Sequence, residues 1–429
     1  MAINTILTHL PTMLQPDPSR TVIRPFYAED PAQFAIDGCP RPQRIVDRVL
    51  NLPADRARMM VDMMVPAMAS RHPNAEKFFL RRFEEVRGEL SEGPVSREQA
   101  LLIGAYFSQE YAFESAALFN PSIVAHPLED AARPGCLRFV MSLRGIGEGH
   151  ISSVTFRTGT WDTVANQVTV DPASAHGVPP RIEEVEEDGR TIRLSCPEST
   201  NISESVVFPV TPSQRQGVED LRMVLFVEED GSRNLLGTYT AFSGAEVRSE
   251  MLRALDFRTY ELRPLEGDVV RNKGMALFPR RIDGRYMMLG RQDNENIWLL
   301  ASDDLYRWDG GQKIVTPRYS WEFVQLGNCG SPIEIEEGWL VLTHGVGMMR
   351  GYCIGACLLD KADPSRVLGR TDRPIVYPDP AERGGYVPNV VYSCGALVHN
   401  RMLLLPYGVA DTYTTFATGS VDAVLAAMS

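Results

Sequence analysis

The chain lacks the features that would tie it to a membrane. None of its 429 residues falls in an apolar run approaching the ~18 residues that a spanning helix needs. The N-terminus, MAINTILTHLPTML, has neither a basic start nor a long apolar stretch, so it does not read as a secretion signal. A soluble, cytoplasmic protein is expected. Positive charge is also short: 43 Lys and Arg stand against 55 Asp and Glu, a formal net charge of -12. Nonspecific binding to nucleic acid or to anionic lipid needs basic surface, so neither is expected as a partner. The seven cysteines (Cys39, Cys136, Cys196, Cys329, Cys353, Cys357 and Cys394) are odd in number and scattered. Cys353 and Cys357 have no second pair to complete a zinc site, so reduced, mostly buried thiols are expected. The histidines are isolated and the acids are not paired at ligand spacing, so no metal is expected. There is no GxSxG elbow, no HExxH, no phosphate-binding P-loop and no dinucleotide fingerprint after a strand. RGIGEG contains a GxG but precedes a strand.

What is present is an ordinary globular composition, 44% hydrophobic and 23% charged, compatible with a sizeable core. Residues 1–115 read as a helical segment. PADRARMMVDMMVPAMASRH puts Met59, Met60, Met63, Met64, Ala67 and Met68 on one helical face, a core or subunit-contact stripe, and Pro66 should kink or end that helix. NAEKFFLRRFEEVRGEL carries a second stripe. VSREQALLIGAYF opens with a capping box, Ser96 as N-cap and Gln99 reaching back. This segment is expected to serve oligomerisation, as a homo-oligomer contact, or to act as a lid.

Residues 116–429 read as strands: 137–143, 150–157, 221–227, 234–242, 285–290, 296–301, 339–344, 352–359 and 402–407, separated by Gly, Asp and Asn turns. The strands come in similar pairs at a period of about 45 to 60 residues, the signature of a β-propeller of about five blades. The fold class expected is therefore all-β, a five-bladed β-propeller preceded by an N-terminal helical segment. A large β-sandwich would hold the strands but would not require the repeat. In a propeller, polar residues at the ends of innermost strands converge, and Arg144, Arg291, His344 and Asp411 sit at such ends.

Carboxylates, arginines, a histidine and aromatics in one funnel suit carbohydrate chemistry. Sugar hydroxyls favour charged, bidentate partners, and glycosidic cleavage needs a proton donor with a second carboxylate or another nucleophile. Asp220 lies in GVEDLRMVLFV, with Glu219 before it and Arg222 after. Glu148 and His150 lie in the glycine loop RGIGEGHISS, and Asp379 and Glu382 lie in a loop rich in Pro and Gly. Asp303 and Asp304 read as solvated turn residues.

A family resemblance rests on FNPSIV (119–124), GVEDLRMV (217–224), NKGMALFPRRIDGRYMMLGR (272–291), GSPIEIEEGWLVLTHGV (330–346), GACLLDKADPSRVLGR (355–370), ERGGYVPNVVYSCG (382–395) and YGVADT (407–412). With these motifs in order and at matching spacing, about three quarters of the chain resembles glycoside hydrolase family 130, the β-mannoside phosphorylases and β-mannosidases. The resemblance implies a five-bladed propeller and inversion at the anomeric carbon, with phosphate attacking in the phosphorylases and water in the hydrolases. It implies that Asp220 is the general acid, working through a mannose hydroxyl. It also implies that Asn120, Arg144, Lys273, His344 and Asp411 line the mannose and acceptor pocket.

Three departures from the family pattern bear on the nucleophile. Gly274 stands where the phosphorylases usually have Asp. Gly290-Arg291-Gln292 stands where they have His-Arg-Pro, the histidine belonging to the phosphate site. Leu221 replaces a proline. A thinner phosphate site points to an inverting hydrolase of β-mannosides, with no cofactor and a carboxylate base among Glu382, Glu295 and Glu148. For such a hydrolase the acid–base gap is roughly 6.5–9.5 Å. The alternative is a mannosyl phosphorylase taking inorganic phosphate as co-substrate on Arg222, Lys273 and Arg291. A second alternative is a noncatalytic carbohydrate-binding propeller, which an intact Glu-Asp-x-Arg frame around Asp220 argues against.

Overall fold

The computed structural model describes residues 6–28, 39–90, 93–129, 133–185, 190–379 and 384–429. The chain forms two compact units. One comprises Ser19–Ala112 with Ser174–Pro179. It holds the helices Arg41–Leu50, Ala54–Ala69, Ala75–Leu90 and Arg97–Tyr106, and a ribbon of Thr21–Pro25 with Ser108–Ala112. The Ser96/Gln99 capping box forms as the sequence indicates. Pro66 lies inside its helix, which runs on to Ala69. The methionine stripe is split: Met60, Met64 and Met68 pack on the unit's apolar clusters, while Met59 and Met63 are exposed. Helices Ala75–Leu90 and Arg97–Tyr106 touch through Gly104, where a Cβ would fall 1.9 Å from the Phe79 carbonyl oxygen.

The second unit, which includes Met1–Pro18, is mostly β. The expected helical segment 1–115 therefore differs: beside the helices it carries the ribbon of Thr21–Pro25 with Ser108–Ala112, and its start belongs to the β unit. Its first strand, Thr8–Leu14, pairs antiparallel with Tyr413–Ser420 near the C-terminus, because Leu7 and Leu10 are buried in clusters of the β unit.

The strands fall into five antiparallel groups in chain order. The first contains Ala117–Ala125, Cys136–Ile146, Ser152–Asp162 and Gln167–Val170. The second contains Gly217–Val227, Arg233–Phe242, Val247–Asp256 and Thr259–Pro264, and a single parallel pair, Gly217 with Ser152, joins it to the first. The third contains Ala276–Leu277, Tyr286–Gly290, Ile297–Ser302 and Gln312–Val315. The fourth contains Gln325–Asn328 and Ile333–Glu334, Trp339–Val346, Tyr352–Leu359 and Val367–Arg370. The fifth contains Val391–Tyr392 and Leu397–His399, Met402–Val409, Tyr413–Ser420 and Thr8–Leu14. Every long strand expected from the sequence is present.

The core of this unit lies between groups. One apolar cluster joins the first and second groups, through Phe156 and Tyr260 among others. Others join the second to the third, the third to the fourth and the fourth to the fifth. A further cluster joins the fifth to the first, bringing Leu10, Leu404 and Phe416 against Phe139 and Trp161. Main-chain bonds add to that last junction, Leu118 N to Thr412 O at 2.8 Å and Cys394 N to Pro121 O at 2.8 Å.

Leu10→Ala is predicted to lower the unfolding free energy by about 2–5 kcal/mol, the range for emptying a packed leucine site. Urea unfolding checks this, and a change below ~0.5 kcal/mol would mean that the first strand does not help hold the unit together.

Candidate active site

Two bulges of the same design build the centre of the site. The first strand of group one pairs Phe119 with Arg144 and then Ser122 with Ser142. The first strand of group two pairs Glu219 with Thr240 and then Arg222 with Thr238. Each has one extra residue, and a bulge of this kind re-aims a side chain. Asn120 and Asp220 lie in these bulges with φ +48° and +54°, a region that Asn and Asp enter more readily than other side chains. Their side chains meet, Asn120 Nδ2 donating to Asp220 Oδ1 at 2.8 Å.

Charge is layered around that pair. Arg144 donates to Asp220 Oδ1 at 3.3 Å, to Glu219 Oε1 at 2.7 Å and to Ser152 Oγ at 2.9 Å. Lys273 Nζ donates to Glu219 Oε2 at 2.6 Å. Burial pushes the Asp220 carboxyl up, but the charges of Arg144, Arg222 and Lys273 and the Asn120 bond outweigh it and hold it at about 2. Asp220 is therefore ionised in the ligand-free protein.

Arg222 is buried and spends its donors on uncharged oxygens: the Asp220 carbonyl at 2.9 Å, the Cys329 carbonyl at 3.2 Å and the Tyr392 hydroxyl at 3.0 Å. Arg291 donates Nη1 to His344 Nε2 at 3.0 Å, and its buried Nε has no hydrogen-bond partner. Among the described residues no carboxylate lies within ion-pair distance of either arginine. Burial, then the Arg291 and Arg222 charges, hold His344 well below the usual histidine range, so its neutral ring can accept from Arg291. Tyr392 and Tyr352 flank that ring, with centroids at 4.9 and 6.3 Å. Gly327 makes the arrangement possible, since a Cβ there would fall 2.5 Å from His344 Cε1.

Asp411 occupies a tight turn in which Ala410 and Asp411 both have φ +50°. The turn is clamped by Ala410 N to Val390 O, Val387 N to Ala410 O and Leu118 N to Thr412 O. Burial raises the Asp411 carboxyl to about 6, against the pull of Arg144.

The structure thus brings together Asn120, Arg144, Asp220, Arg222, Lys273, Arg291 and His344, with Asp411 near enough to feel Arg144 and Asp220. Glu148 and Glu295 are exposed, in the turns after Ile146 and Gly290. Glu382 lies outside the described residues. His150 is exposed, on the same turn as Glu148. The strands bearing Arg144, Arg291, His344 and Asp411 at or just past their ends are the second of each group, not the edge strands expected. The first strands and the turns leading to them supply Asn120, Asp220 and Lys273, as well as Tyr392 and Asn328. Asn328 fixes the turn before group three by donating to the Gly274 carbonyl at 3.0 Å. Glu219, Gly327, Asn328 and Tyr392 had no assigned role from the sequence, although Tyr392 stands in the quoted VVYSCG stretch.

The Glyco_hydro_130 family model, described as beta-1,4-mannooligosaccharide phosphorylase, matches residues 191–429. A 1,2-beta-oligomannan phosphorylase of Thermoanaerobacter sp. is 41% identical over 33% of this chain and 48% of its own length. A beta-1,2-mannobiose phosphorylase of the same organism is 37% identical over 47% of this chain and 66% of its own. The chain thus spans about half to two thirds of the length of these relatives. The beta-1,2-mannobiose phosphorylase of Listeria innocua, solved with beta-1,2-mannobiose, shares the fold with a TM-score of 0.53 at 21% identity, over 74% of this chain and 92% of that one.

The Asp411 turn makes a sign-specific prediction. Its folded value of about 6 lies above the ~3.9 of an unfolded Asp, so the folded state keeps a proton that the unfolded state has released. The associated stability is present below pH ~4 and is lost as pH rises to ~6. Asp411→Asn, which mimics the protonated form, is predicted to melt higher than wild type at pH 7.5 and level with it at pH 4. Thermal melts at the two pH values check this.

Proposed function

The chain belongs to glycoside hydrolase family 130, and from that premise we propose that it is an inverting β-mannoside phosphorylase on a five-bladed propeller. The five strand groups, each sharing a cluster with the next and the fifth with the first, support the propeller. The observation that carries the phosphorylase reading is the cation excess. Arg144, Arg222, Lys273 and Arg291 outnumber three carboxylates: Glu219 and Asp220, both ion-paired, and Asp411, which holds its proton up to about pH 6. A buried guanidinium, Arg222, and a half-buried one, Arg291, neither with a carboxylate among the described residues, suit a phosphate dianion, which Arg recognises through paired N–H donors.

This reading replaces the hydrolase favoured by the Gly290 departure. Arg291 remains in place beside the His344 ring, and of the glutamates offered as water-activating bases Glu148 and Glu295 are exposed. The names of the relatives point the same way.

In the proposed reaction a phosphate oxygen attacks the anomeric carbon from the face opposite the leaving oxygen. The C1–O glycosidic bond breaks, a C1–O–P bond forms, and the proton held on Asp220 passes, through a mannose hydroxyl, to the leaving sugar. Phosphate also prepares the acid. Its negative charge beside Arg222 and Arg291 offsets the field that keeps Asp220 ionised, so proton uptake accompanies phosphate binding.

Incubation with β-1,2- and β-1,4-mannobiose is predicted to give α-mannose 1-phosphate only when phosphate is present, with at least a ~100-fold lower rate in Asp220→Asn, the scale of lost acid catalysis. Mannose released equally well without phosphate would restore the hydrolase. Mannoside binding with no product would leave a carbohydrate-binding propeller.

A further inference from the structure

Tyr392 stands where three strand groups meet. Its short strand, Val391–Tyr392, pairs with Gly408 and Val409 of its own group. Cys394, two residues on, donates its N–H to the Pro121 carbonyl of group one at 2.8 Å. On the other flank Tyr352 of group four donates its N–H to the Asn389 carbonyl at 2.9 Å, and the Tyr352 and Tyr392 rings meet edge to face with centroids 6.3 Å apart. Held from both sides, the half-buried Tyr392 links the two arginines that lack a carboxylate. Arg222 Nη2 donates to its hydroxyl at 3.0 Å. The His344 ring, which takes the Arg291 bond, lies 4.9 Å from the Tyr392 ring.

A phenol in that place has a proton to give. Arg222 takes a lone pair of the hydroxyl oxygen, and among the described residues nothing accepts the Tyr392 O–H. Burial pushes the phenol well above its usual range, against the pull of Arg222, so the proton stays on it wherever phosphate is a dianion. A hydroxyl that accepts from a guanidinium is polarised, which makes it a stronger donor in turn. The strand that carries Arg291 offers no substitute. Gly290 has no side chain, and a Cβ there would fall 3.1 Å from both Gln292 Oε1 and Leu300 Cδ1. Gln292 spends its amide N–H on the Gly310 carbonyl at 2.9 Å.

Resting on the phosphorylase reading, we propose that Tyr392 is itself a ligand of the phosphate: its O–H donates to a phosphate oxygen while its oxygen holds the Arg222 guanidinium in place. The nucleophile is then gripped by a phenol from group five together with Arg222 and Arg291, and the phenol makes good the donor that Gly290 lacks. The test uses the Tyr392→Phe protein, which keeps the ring and loses only the hydroxyl. Calorimetric titration of inorganic phosphate is expected to show an affinity about 10-fold below wild type, the scale of a hydrogen bond to a charged group, while mannobiose affinity in the absence of phosphate stays within about 2-fold. In phosphorolysis the rise in phosphate KM is expected to exceed any fall in kcat. Saturating phosphate is expected to perturb the ultraviolet absorption of tyrosine in the wild type and not in Tyr392→Phe. Unchanged phosphate affinity in Tyr392→Phe would overturn this inference alone. So would a loss matched by an equal loss of mannobiose affinity, the mark of a general structural role. So would a loss with no tyrosine perturbation in the wild type, since Tyr392 would then act only through Arg222. A wild type that neither binds phosphate nor forms mannose 1-phosphate would sink the phosphorylase reading and this inference with it.

Discussion

An unpaired guanidinium is expensive to bury, and this site holds one buried, Arg222, and one half-buried, Arg291. Removing a cation from water without a counter-ion costs several kcal/mol, so Arg222 and Arg291 persist only because the surrounding strands compensate them with dipoles. Arg222 is held by two carbonyls and a phenol, and Arg291 by a neutral imidazole. These are hydrogen bonds, not charge neutralisation. The remaining positive field does two things at once. Through Arg222 it adds to the charges of Arg144 and Lys273 that hold the Asp220 carboxyl low, and it favours an anion. In the proposed reaction an arriving phosphate weakens that field, so phosphate binding and proton uptake by Asp220 are linked.

Backbone strain is the means by which the fold meets that demand. Asn120 and Asp220 are aimed by matched bulges in successive strand groups, and Asp411 by a turn of two left-handed residues. Each depends on neighbours in a different group, as when the Ala410–Thr412 turn is pinned from both the Ala117–Ala125 strand and the 387–390 segment. The site is therefore a product of how the groups close on one another, and a disturbance as remote as the Thr8–Leu14 strand bears on it through the shared cluster of Leu10, Phe416 and Phe139.

The sequence made the long strands readable because they are apolar runs bounded by turn residues, and the Ser96 box readable because capping is local chemistry. The second strand of each group could be found that way, and with it Arg144, Arg291, His344 and Asp411. The shortest first strands could not: Ala276–Leu277 and Val391–Tyr392 are two residues long, too short to show a period. Asn120 is reached only through resemblance; Asp220 is a candidate carboxylate from its place in GVEDLRMVLFV, and its role as the acid is what the resemblance implies. The roles of Gly327, Asn328 and Tyr392 depend on contacts across groups, which no local pattern records. The choice of nucleophile is hard to read for a related reason. Gly290 reads as a missing histidine, whereas the balance of charge that favours phosphate in the proposed reading depends on which carboxylates pair with which cations in three dimensions.

The account rests on phosphate binding to that cation excess, and calorimetric titration of inorganic phosphate into the ligand-free protein and into Arg291→Gln tests it most directly. The predicted result is binding to the wild type with proton uptake near neutral pH, weakened at least ~10-fold in Arg291→Gln, as for loss of a charged hydrogen bond. Absence of binding at millimolar phosphate, or equal affinity in the two proteins, would contradict it.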